Sequence, residues 1–199
     1  MQPEIEAKFL NVDHDVLRKR LAGIGAVLEK PKRMMRRTVF DYPDSRIERS
    51  RSRLRVRDEG DRVTITYKSP HKDDQYVDET ETTVGSYEIM VELLQSIGLV
   101  AYSNQESTRE VWRWGTTEIM LDEWPWVKPF MEIEGPDEAA IKACAGQLGL
   151  QWERAVFGSA EAVYQAEYPG IENDESLGAI SQIRFNAPVP PWLKQRRQR

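Results

Sequence analysis

The sequence predicts an α+β fold in which an antiparallel sheet carries amphipathic helices on one face. Two observations support this prediction. Some seven segments alternate charged and apolar residues with the two-residue period of a β-strand, and three segments repeat apolar residues at helical spacing. With 199 residues, 40% of them hydrophobic, the chain is long enough to bury a sizeable core and fits one domain by default.

The first predicted strand runs from Glu4 to Phe9 and alternates throughout. It places Glu4, Glu6 and Lys8 on one face, with the two carboxylates about 7 Å apart. Such a set is suited to hold a divalent cation beside a phosphate. On this segment alone, the wet side of an antiparallel sheet is the simpler interpretation. The recurrence of the pattern along the chain is what favours a binding site.

A helix follows, capped by Asp13 and running from residue 15 to about 24. Its predicted apolar stripe is Val16, Leu17, Leu21 and Ile24. Two strands are predicted next, over residues 26–30 and 33–42, and then a polar, mobile loop over 45–52.

Three arginines line one face of the next predicted strand, Arg53, Arg55 and Arg57. Like charges aligned in this way repel one another unless an anion lies among them. A turn at residues 59–61 leads into a strand that ends in Lys68, so the two strands are predicted to form a hairpin. Residues 69–74 are predicted to be a loop.

The remaining strands are predicted over residues 76–84, 107–114, 117–122 and 128–134. Their polar faces carry Glu79 and Glu81, Arg109 and Arg113, Asp122, and Glu132 and Glu134. Helices are predicted over 87–97 after a Ser86 cap, over 137–148 after Pro136, and over 159–168. The first of these helices has a stripe that we expect to be buried, formed by Ile89, Met90, Leu93, Leu94 and Ile97.

Composition excludes several classes of function. The net charge of −5 argues against a nucleic-acid polymer as partner, and no apolar run approaches the roughly 18 residues that span a bilayer. The N-terminus has no signal pattern, so we expect a cytoplasmic protein. Cys144, the single cysteine, is expected to fill the core, and neither His14 nor His71 lies in a triad context.

A sheet that has helices on its other face does not need charges of both signs on strand after strand in order to stay in solution. If the sheet closes on itself, these charges line a hydrated interior, where each unpaired ion costs several kcal/mol unless a ligand compensates it. A polyphosphate matches the cations, and Mg²⁺ or Mn²⁺ matches the carboxylates.

Seven ordered motifs make the chain similar to the CYTH superfamily of triphosphate tunnel metalloenzymes. They are Glu4-x-Glu6-x-Lys8, Leu54-Arg55-Val56-Arg57, Thr66-Tyr67-Lys68, Glu79-x-Glu81, Thr108-Arg109-Glu110, Leu121-Asp122 and Glu132-Ile133-Glu134. The resemblance covers roughly residues 1–150 and implies an eight-stranded antiparallel β-barrel, the triphosphate tunnel, with flanking helices. Residues 151–199 are then a C-terminal helical extension with a basic tail.

The resemblance also implies roles for individual residues. Phosphate-binding roles fall to Lys8, Arg55, Arg57, Lys68 and Arg109, of which Lys68 and Arg109 are the expected catalytic residues. Metal-binding roles fall to Glu4, Glu6, Glu132 and Glu134, with Asp122 as a ligand or as a group that orients one. The pair Glu79 and Glu81 either orients the arginines or touches a metal. Arg53 and Arg113 lie outside the motifs and are interpreted as rim charges.

Two departures from the family pattern bear on activity. Cyclase-like members often have a basic residue where this chain has Ser107. Thiamine triphosphatases are discussed in terms of a tyrosine paired with the lysine at the position of Lys68. Near that site this chain has Val39, Phe40 and Asp41, with Tyr42 just beyond. The segment Trp124–Trp126 forms either a base-binding wall or plain packing.

The resemblance implies a metal-dependent enzyme acting on a small-molecule triphosphate, and we expect a class IV adenylate cyclase-like activity that forms cyclic AMP and pyrophosphate from ATP. The alternatives are a triphosphatase that hydrolyses tripolyphosphate, thiamine triphosphate or a nucleoside triphosphate, and a non-catalytic module that binds polyphosphate or a nucleotide. The chain is expected to be a monomer or a homodimer.

Overall fold

The computed structural model describes residues 2–71, 76–171, 177 and 180–197. The chain divides into two compact units. The first unit contains Met1–Glu4, Met34–Ser107 and Glu172–Pro188, and the second contains Ile5–Arg33, Thr108–Ile171 and Val189–Arg199. Residues after 150 therefore belong to both units, and the predicted division at residue 150 stays a prediction.

The first unit has five antiparallel strands in the spatial order β1–β6–β5–β4–β3. Their bounds are Gln2–Glu4 for β1, Val27–Asp41 for β3, Arg53–Asp58 for β4, Val63–Pro70 for β5 and Val77–Val84 for β6. The predicted hairpin is confirmed, because β4 and β5 pair directly with Arg55 opposite Thr66 and Arg57 opposite Thr64. Strand β3 also extends into the second unit.

Helix α3 covers the apolar face of this sheet. It spans Tyr87–Ser96 and begins at the predicted cap, where the Ser86 hydroxyl accepts the backbone N–H of Ile89 at 3.3 Å. Its Leu94 is buried in a core with Phe40, Ile47, Val56 and Leu99. The predicted burial is wrong for three residues of the stripe, which are exposed: Ile89 (67%), Leu93 (50%) and Ile97 (64%).

The second unit has four antiparallel strands in the order β7–β8–β9–β2. Their bounds are Glu6–Leu10 for β2, Val100–Trp114 for β7, Thr117–Glu123 for β8 and Phe130–Glu134 for β9. Strand β7 begins in the first unit, where the two-residue β10 (Gln182–Ile183) pairs with it in parallel.

Two helices cover the apolar face of the second sheet. Helix α1 (His14–Gly23) starts at Asp13, whose carboxylate accepts the N–H groups of Asp15 and Val16, and α4 (Glu138–Gln147) starts at Asp137. The Asp13 cap agrees with the prediction, whereas Asp137, predicted as the first residue of its helix, is the cap that precedes it. The core between helices and strands includes Phe9, Leu17, Leu21, Trp112, Ile119, Leu121, Met131, Ile133, Ile141 and Cys144. The interpretation of Cys144 as core filler is confirmed, whereas Val16 is 41% exposed and does not join the core.

The C-terminal residues of the second unit add a 3₁₀ turn (Trp152–Arg154), α5 (Ala160–Glu167) and α6 (Pro191–Gln195). From the basic tail, Arg197 Nη2 contacts Glu167 Oε1 at 2.5 Å. Arg199 lies outside the described residues. No helix within the described ranges is long and apolar enough to cross a membrane.

Several predicted boundaries are wrong. The N-terminal strand is interrupted at Ile5, so Glu4 pairs in the first unit and Glu6 in the second. β3 is one 15-residue strand rather than two, because proline at position 31 tolerates extended backbone even though it cannot donate a ladder hydrogen bond. β7 begins at 100 rather than 107.

The predicted loop over 45–52 contains a short helix, α2 (Arg46–Arg49). It forms because the buried carboxylate of Asp41 accepts the backbone N–H groups of Ile47 at 3.0 Å and Glu48 at 2.9 Å. Of the predicted loop over 69–74, Ser69 and Pro70 belong to β5, and residues 72–74 lie outside the described residues.

With β1 and β2 counted as one interrupted strand, and the two-residue β10 left out, the described residues form eight strands, the number that the resemblance implies. Each of them pairs antiparallel with at least one neighbour.

Candidate functional site

The sheet of the first unit has one face rich in charges. Residues directly opposite each other on antiparallel strands point to the same side. The registers therefore place on this face, called the first polar face, Glu4, Arg37, Arg53, Arg55, Arg57, Thr64, Thr66, Lys68, Glu79 and Glu81. The alternation in the sequence predicts the placement of every charged residue in this set except Arg37.

Arg55 is the cation of this face that has no protein partner among the residues the structure describes. Its Nε is buried, and within those residues neither a hydrogen bond nor an ion pair satisfies it. The hydroxyl of Thr64 on the neighbouring strand is likewise buried without a bond in the described part of the chain. Buried polar groups left in this state are costly and are rare in proteins. Both groups therefore have the donors that an anion would satisfy.

Lys68 lies between two carboxylates. Its ammonium contacts the Glu4 carboxylate closely, and Glu79 Oε2 lies 2.9 Å from Nζ. All three side chains are largely buried. Glu4 and Glu79 therefore neutralise the lysine in the absence of a ligand. This contact of Glu79 is with a lysine, so its predicted role, to orient the arginines or to touch a metal, stays a prediction.

Arg57 is held by acidic groups from the turn after β4 and from the middle of β6. Its Nη2 contacts the buried carboxylate of Glu59 and lies 3.8 Å from Glu81 Oε2. Glu81 Oε2 also accepts the Thr66 hydroxyl at 2.7 Å, which is consistent with Glu81 orienting the arginine. The hydrogen bond from Arg62 Nε to Glu59 Oε2, 2.9 Å long, raises the pKa of Arg62.

Glu59 was missed in the sequence because it falls in the turn between β4 and β5, where an acidic residue is usual. Its burial and its contact with Arg57, which are visible only in three dimensions, mark it as part of the site.

The sheet of the second unit has its own polar face, and its centre is a buried ionic network. Lys8 Nζ contacts Glu6 Oε1 at 2.5 Å and Glu132 Oε1 at 3.3 Å. Arg109 Nη2 donates to Asp122 Oδ2 and to Glu132 Oε2, both at 2.6 Å, and its Nε donates to Asp122 Oδ1 at 2.7 Å. The structure thus brings together five of the residues that the motifs singled out.

This network holds Arg109 firmly in its charged form. Burial by itself would lower the pKa of Arg109, but the charges of Asp122 and Glu132 outweigh it and raise that pKa well above its usual value. Both carboxylate oxygens of Asp122 accept hydrogen bonds from Arg109. This arrangement favours the role in which Asp122 orients another residue over the role of direct metal ligand.

Glu134 completes the acidic part of this face, directly opposite Glu6 in the register. Glu6, Glu132 and Glu134 offer only carboxylate oxygens, the ligand type that Mg²⁺ and Mn²⁺ prefer. Their chemistry therefore fits such an ion. In the described residues, however, no three acidic, histidine or cysteine side chains lie close enough together to hold one. In this structure the oxygens of Glu6 and Glu132 contact Lys8 and Arg109 instead.

Arg113 lies on the same face but at its margin. It contacts Glu29 and Glu118 with a side chain that is 38% exposed, which agrees with its interpretation as a rim charge. Arg53 lies opposite Lys68 in the register, and its predicted rim role stays a prediction.

The Trp124–Trp126 segment is packed by the C-terminal part of the second unit. Trp124 is buried edge-on against Tyr164, whose hydroxyl donates to the carbonyl of Pro125 at 2.7 Å. The hydroxyl of Tyr168 donates to the carbonyl of Trp126, also at 2.7 Å. These contacts favour the packing interpretation for Trp124. They also give α5 a role that its sequence does not reveal.

Comparison with known proteins gives a family and a set of solved structures. A family model described as CYTH domain matches residues 2–154. No curated protein matched the chain. The chain is similar to the PH1012 protein from Pyrococcus horikoshii OT3, with 24% identity, a TM-score of 0.65 and coverage of 77% of this chain and 94% of that one.

Two other solved structures are similar over comparable lengths. A candidate adenylate cyclase from Vibrio parahaemolyticus has 18% identity and a TM-score of 0.71, with 81% of this chain and 97% of that one covered. A candidate adenylyl cyclase from Hippeastrum, described as having a dominant triphosphatase activity, has 17% identity and a TM-score of 0.56, with 79% and 91% covered. These likenesses confirm the predicted fold class, α+β with antiparallel strands of this type and flanking helices.

Proposed function

The chain belongs to the CYTH domain family, and from this premise we propose that it is an enzyme that binds a small-molecule triphosphate and acts on it with Mg²⁺ or Mn²⁺. The observation that carries the proposal is the buried Nε of Arg55, which none of the described residues satisfies, on a face that also carries Arg57 and Lys68. A fold retains such a group at a cost in stability, and an oxyanion is the ligand that would compensate it.

In the first unit, the proposed roles follow from the contacts that each cation already has. Arg55 is ready to donate to a phosphate oxygen. Arg57 and Lys68 have carboxylates beside them, so an entering phosphate competes with Glu59 and Glu81 at one cation, and with Glu4 and Glu79 at the other. These carboxylates hold the cations in position until substrate arrives, which reduces the reorganisation that binding requires.

In the second unit, Lys8 and Arg109 are the proposed phosphate-binding residues. The proposed metal ligands of this unit are Glu6, Glu132 and Glu134, and Asp122 orients Arg109. For Glu4, in the first unit, the role of metal ligand is a separate proposal. The metal, when bound, neutralises charge on the phosphate oxygens. Lys68 and Arg109 are the proposed catalytic residues because each presents a positive charge that can stabilise charge developing on a phosphoryl group.

Two reactions are compatible with this set of residues. In the cyclase-like reaction that we favour, the 3′-hydroxyl of ATP attacks the α-phosphorus, the bond to the β-phosphate oxygen breaks, and pyrophosphate leaves as the hydroxyl gives up its proton. In the alternative, water attacks the terminal phosphorus, the bond from that phosphorus to the bridging oxygen breaks, and orthophosphate is released together with the shortened diphosphate as the water gives up a proton. The description of the Hippeastrum relative keeps the triphosphatase alternative open for this chain.

The experiment is to incubate the purified full chain with ATP, tripolyphosphate and thiamine triphosphate, each with Mg²⁺ or Mn²⁺, and to identify the products. Cyclic AMP with pyrophosphate would support the cyclase, and orthophosphate the triphosphatase. Arg55→Ala should abolish most of the turnover, and Arg113→Ala, which changes a marginal ion pair, is the matched control. Binding without turnover would replace the enzyme by a binding module, and the absence of both would overturn the proposal.

A further inference from the structure

A cavity of about 590 Å³ lies in the second unit, among residues to which the candidate site assigns no role. Its walls come from the start of α1, the first part of β3, the end of β8 and the connection from β8 to β9. The volume is within the range of small-molecule sites. Three cations and three carboxylates line it, and of the described residues only Val12 and Pro129 add apolar side chains. A lining of this kind favours a polar ligand.

Hydrogen bonds between side chains and strands join the walls of this cavity. His14 Nε2 donates to the carbonyl of Phe130 at 3.0 Å, which ties α1 to the start of β9. Lys32 Nζ donates to both carboxylate oxygens of Glu123 at 2.7 Å, which ties β3 to the end of β8. The walls are therefore in place without a ligand, and a site formed in advance loses less free energy to ordering when it binds.

The imidazole of His14 lines the cavity and has one nitrogen that is not hydrogen-bonded. His14 is only 8% exposed. Because a carbonyl can only accept, Nε2 carries the hydrogen of the bond to Phe130, and Nδ1 is the acceptor of the neutral ring. Glu123 Oε1 lies 3.7 Å from Nδ1, which is beyond hydrogen-bond distance, and no other described residue bonds to this nitrogen. A donor placed between the two atoms would satisfy both.

Glu123 can accept such a donor in addition to Lys32. A carboxylate has about four lone-pair sites, and Lys32 and the 3.3 Å bond from the Thr108 hydroxyl leave part of them open. Burial by itself would raise the pKa of Glu123, but Lys32 outweighs it and lowers that pKa, so the carboxylate is charged at neutral pH. An ammonium, with three donors and a positive charge, matches this position.

Two charged groups of the lining are weakly held by the protein. Lys128 Nζ is 4.0 Å from Glu167 Oε2, and the other oxygen of that carboxylate already contacts Arg197 at 2.5 Å. The side chain of Asp15 is 84% exposed, and Arg18 is its ion-pair partner within the described ranges. Exposed pairs of this kind contribute little to stability. An anionic group can therefore bind Lys128, and a cationic group can approach Asp15, without breaking a strong interaction.

We propose that this cavity binds a free α-amino acid, with its ammonium beside His14 Nδ1 and Glu123 and its carboxylate beside Lys128. The balance of charges selects a zwitterion. A simple anion would meet three carboxylates, a simple cation would meet three cations, and an apolar molecule would find little apolar surface. The inference is independent of the proposed function, because these three residues have no role in triphosphate binding.

The test is a thermal-shift screen of the full chain against the standard free amino acids, followed by calorimetric titration with each one that raises the melting temperature. We expect at least one of them to bind. Its N-acetylated and its amidated derivatives, each of which lacks one of the two charges, should bind at least about 10-fold more weakly. If no amino acid binds, or if either derivative binds as well as its parent, the inference is overturned.

Substitutions locate the binding. His14→Gln keeps an N–H that can reach the Phe130 carbonyl but removes the Nδ1 acceptor, and Lys128→Gln removes the exposed cation. Each should weaken binding by roughly 5-fold or more, the equivalent of about 1 kcal/mol. Lys19→Gln, at an exposed position of α1 outside the cavity, is the matched control and should bind the amino acid as the unmodified protein does. Arg55→Ala should do the same.

Two results with these variants would overturn the inference. One is unchanged affinity in both His14→Gln and Lys128→Gln. The other is loss of amino-acid binding in Arg55→Ala, which would assign the binding to the first polar face. Should His14→Gln fail to fold, Lys128→Gln decides, because this exposed side chain can be replaced without disturbing the core.

Discussion

Removal of Arg109 and removal of Arg55 should differ greatly in their effect on the stability of the ligand-free protein. Arg109 donates three hydrogen bonds to the buried carboxylates of Asp122 and Glu132. Arg55 has no such partner among the described residues, and it lies two positions from Arg57 on the same face. Arg109 therefore stabilises the fold through these bonds, whereas removal of Arg55 breaks no hydrogen bond or ion pair with the described residues.

The magnitudes follow from these contacts. Arg109→Ala leaves two buried carboxylates without their main counter-charge, a change that typically costs about 3–5 kcal/mol. For a chain of this size, that loss corresponds to a fall in melting temperature of roughly 6–20 °C. Arg55→Ala removes no ion pair with residues that the structure describes and relieves repulsion, so the free energy of unfolding should change by less than about 1 kcal/mol, or increase.

The assay is thermal and urea unfolding of both variants, followed by circular dichroism in the presence of EDTA, together with tripolyphosphate binding. Arg113→Ala is a control for the loss of an arginine as such, because its exposed ion pairs should contribute under about 1 kcal/mol. If Arg55→Ala lost as much stability as Arg109→Ala while binding was retained, Arg55 would be a structural residue, and the assignment of the first polar face to an anion would be wrong.

Three further outcomes are expected. On α3, Leu94→Ala should cost about 2–4 kcal/mol of unfolding free energy, whereas Leu93→Ala, at a half-exposed position, should cost under about 1 kcal/mol by chemical denaturation. Burial raises the pKa of the Cys144 thiol, so the thiol should react with a disulfide reagent only on unfolding, and stability should decline as the pH rises above the ordinary thiol pKa, where the unfolded thiol ionises first. Asp41→Ala should cost about 1–2 kcal/mol, measured by urea unfolding, because α2 loses the acceptor of two backbone N–H groups.

The sequence predicts the strands and helix starts of this fold well, because local chemistry decides them. Asp13 and Ser86 each precede an apolar stripe, and aspartate and serine are residue types that cap helices. The alternation of charged and apolar residues over 53–58 indicates a strand with one polar face. What periodicity cannot show is whether a face is covered. Leu93 and Leu94 belong to the same predicted stripe, yet only Leu94 meets the core.

The residues of the candidate site could be named from the sequence, but their partners could not. Motif spacing identified Lys68 and Arg109 without indicating which carboxylates neutralise them. Glu59 and Arg37 were missed because a turn glutamate and a second arginine in a strand have no local signature. Their significance lies in burial and in contacts across strands, which depend on register rather than on neighbours in the chain.

The interruption of the N-terminal strand at Ile5 has a practical consequence for handling the protein. In the described part of the chain the three residues of β1 pair with β6, where they lie opposite its first three residues, Val77, Asp78 and Glu79. A truncation before Ile5, or a fusion that pulls these residues away, would leave this part of β6 without its pairing, and an unpaired strand edge can recruit another chain. Preparations altered at this end should therefore aggregate more readily even where the second unit, which keeps β2, is intact, and an affinity tag is better placed elsewhere.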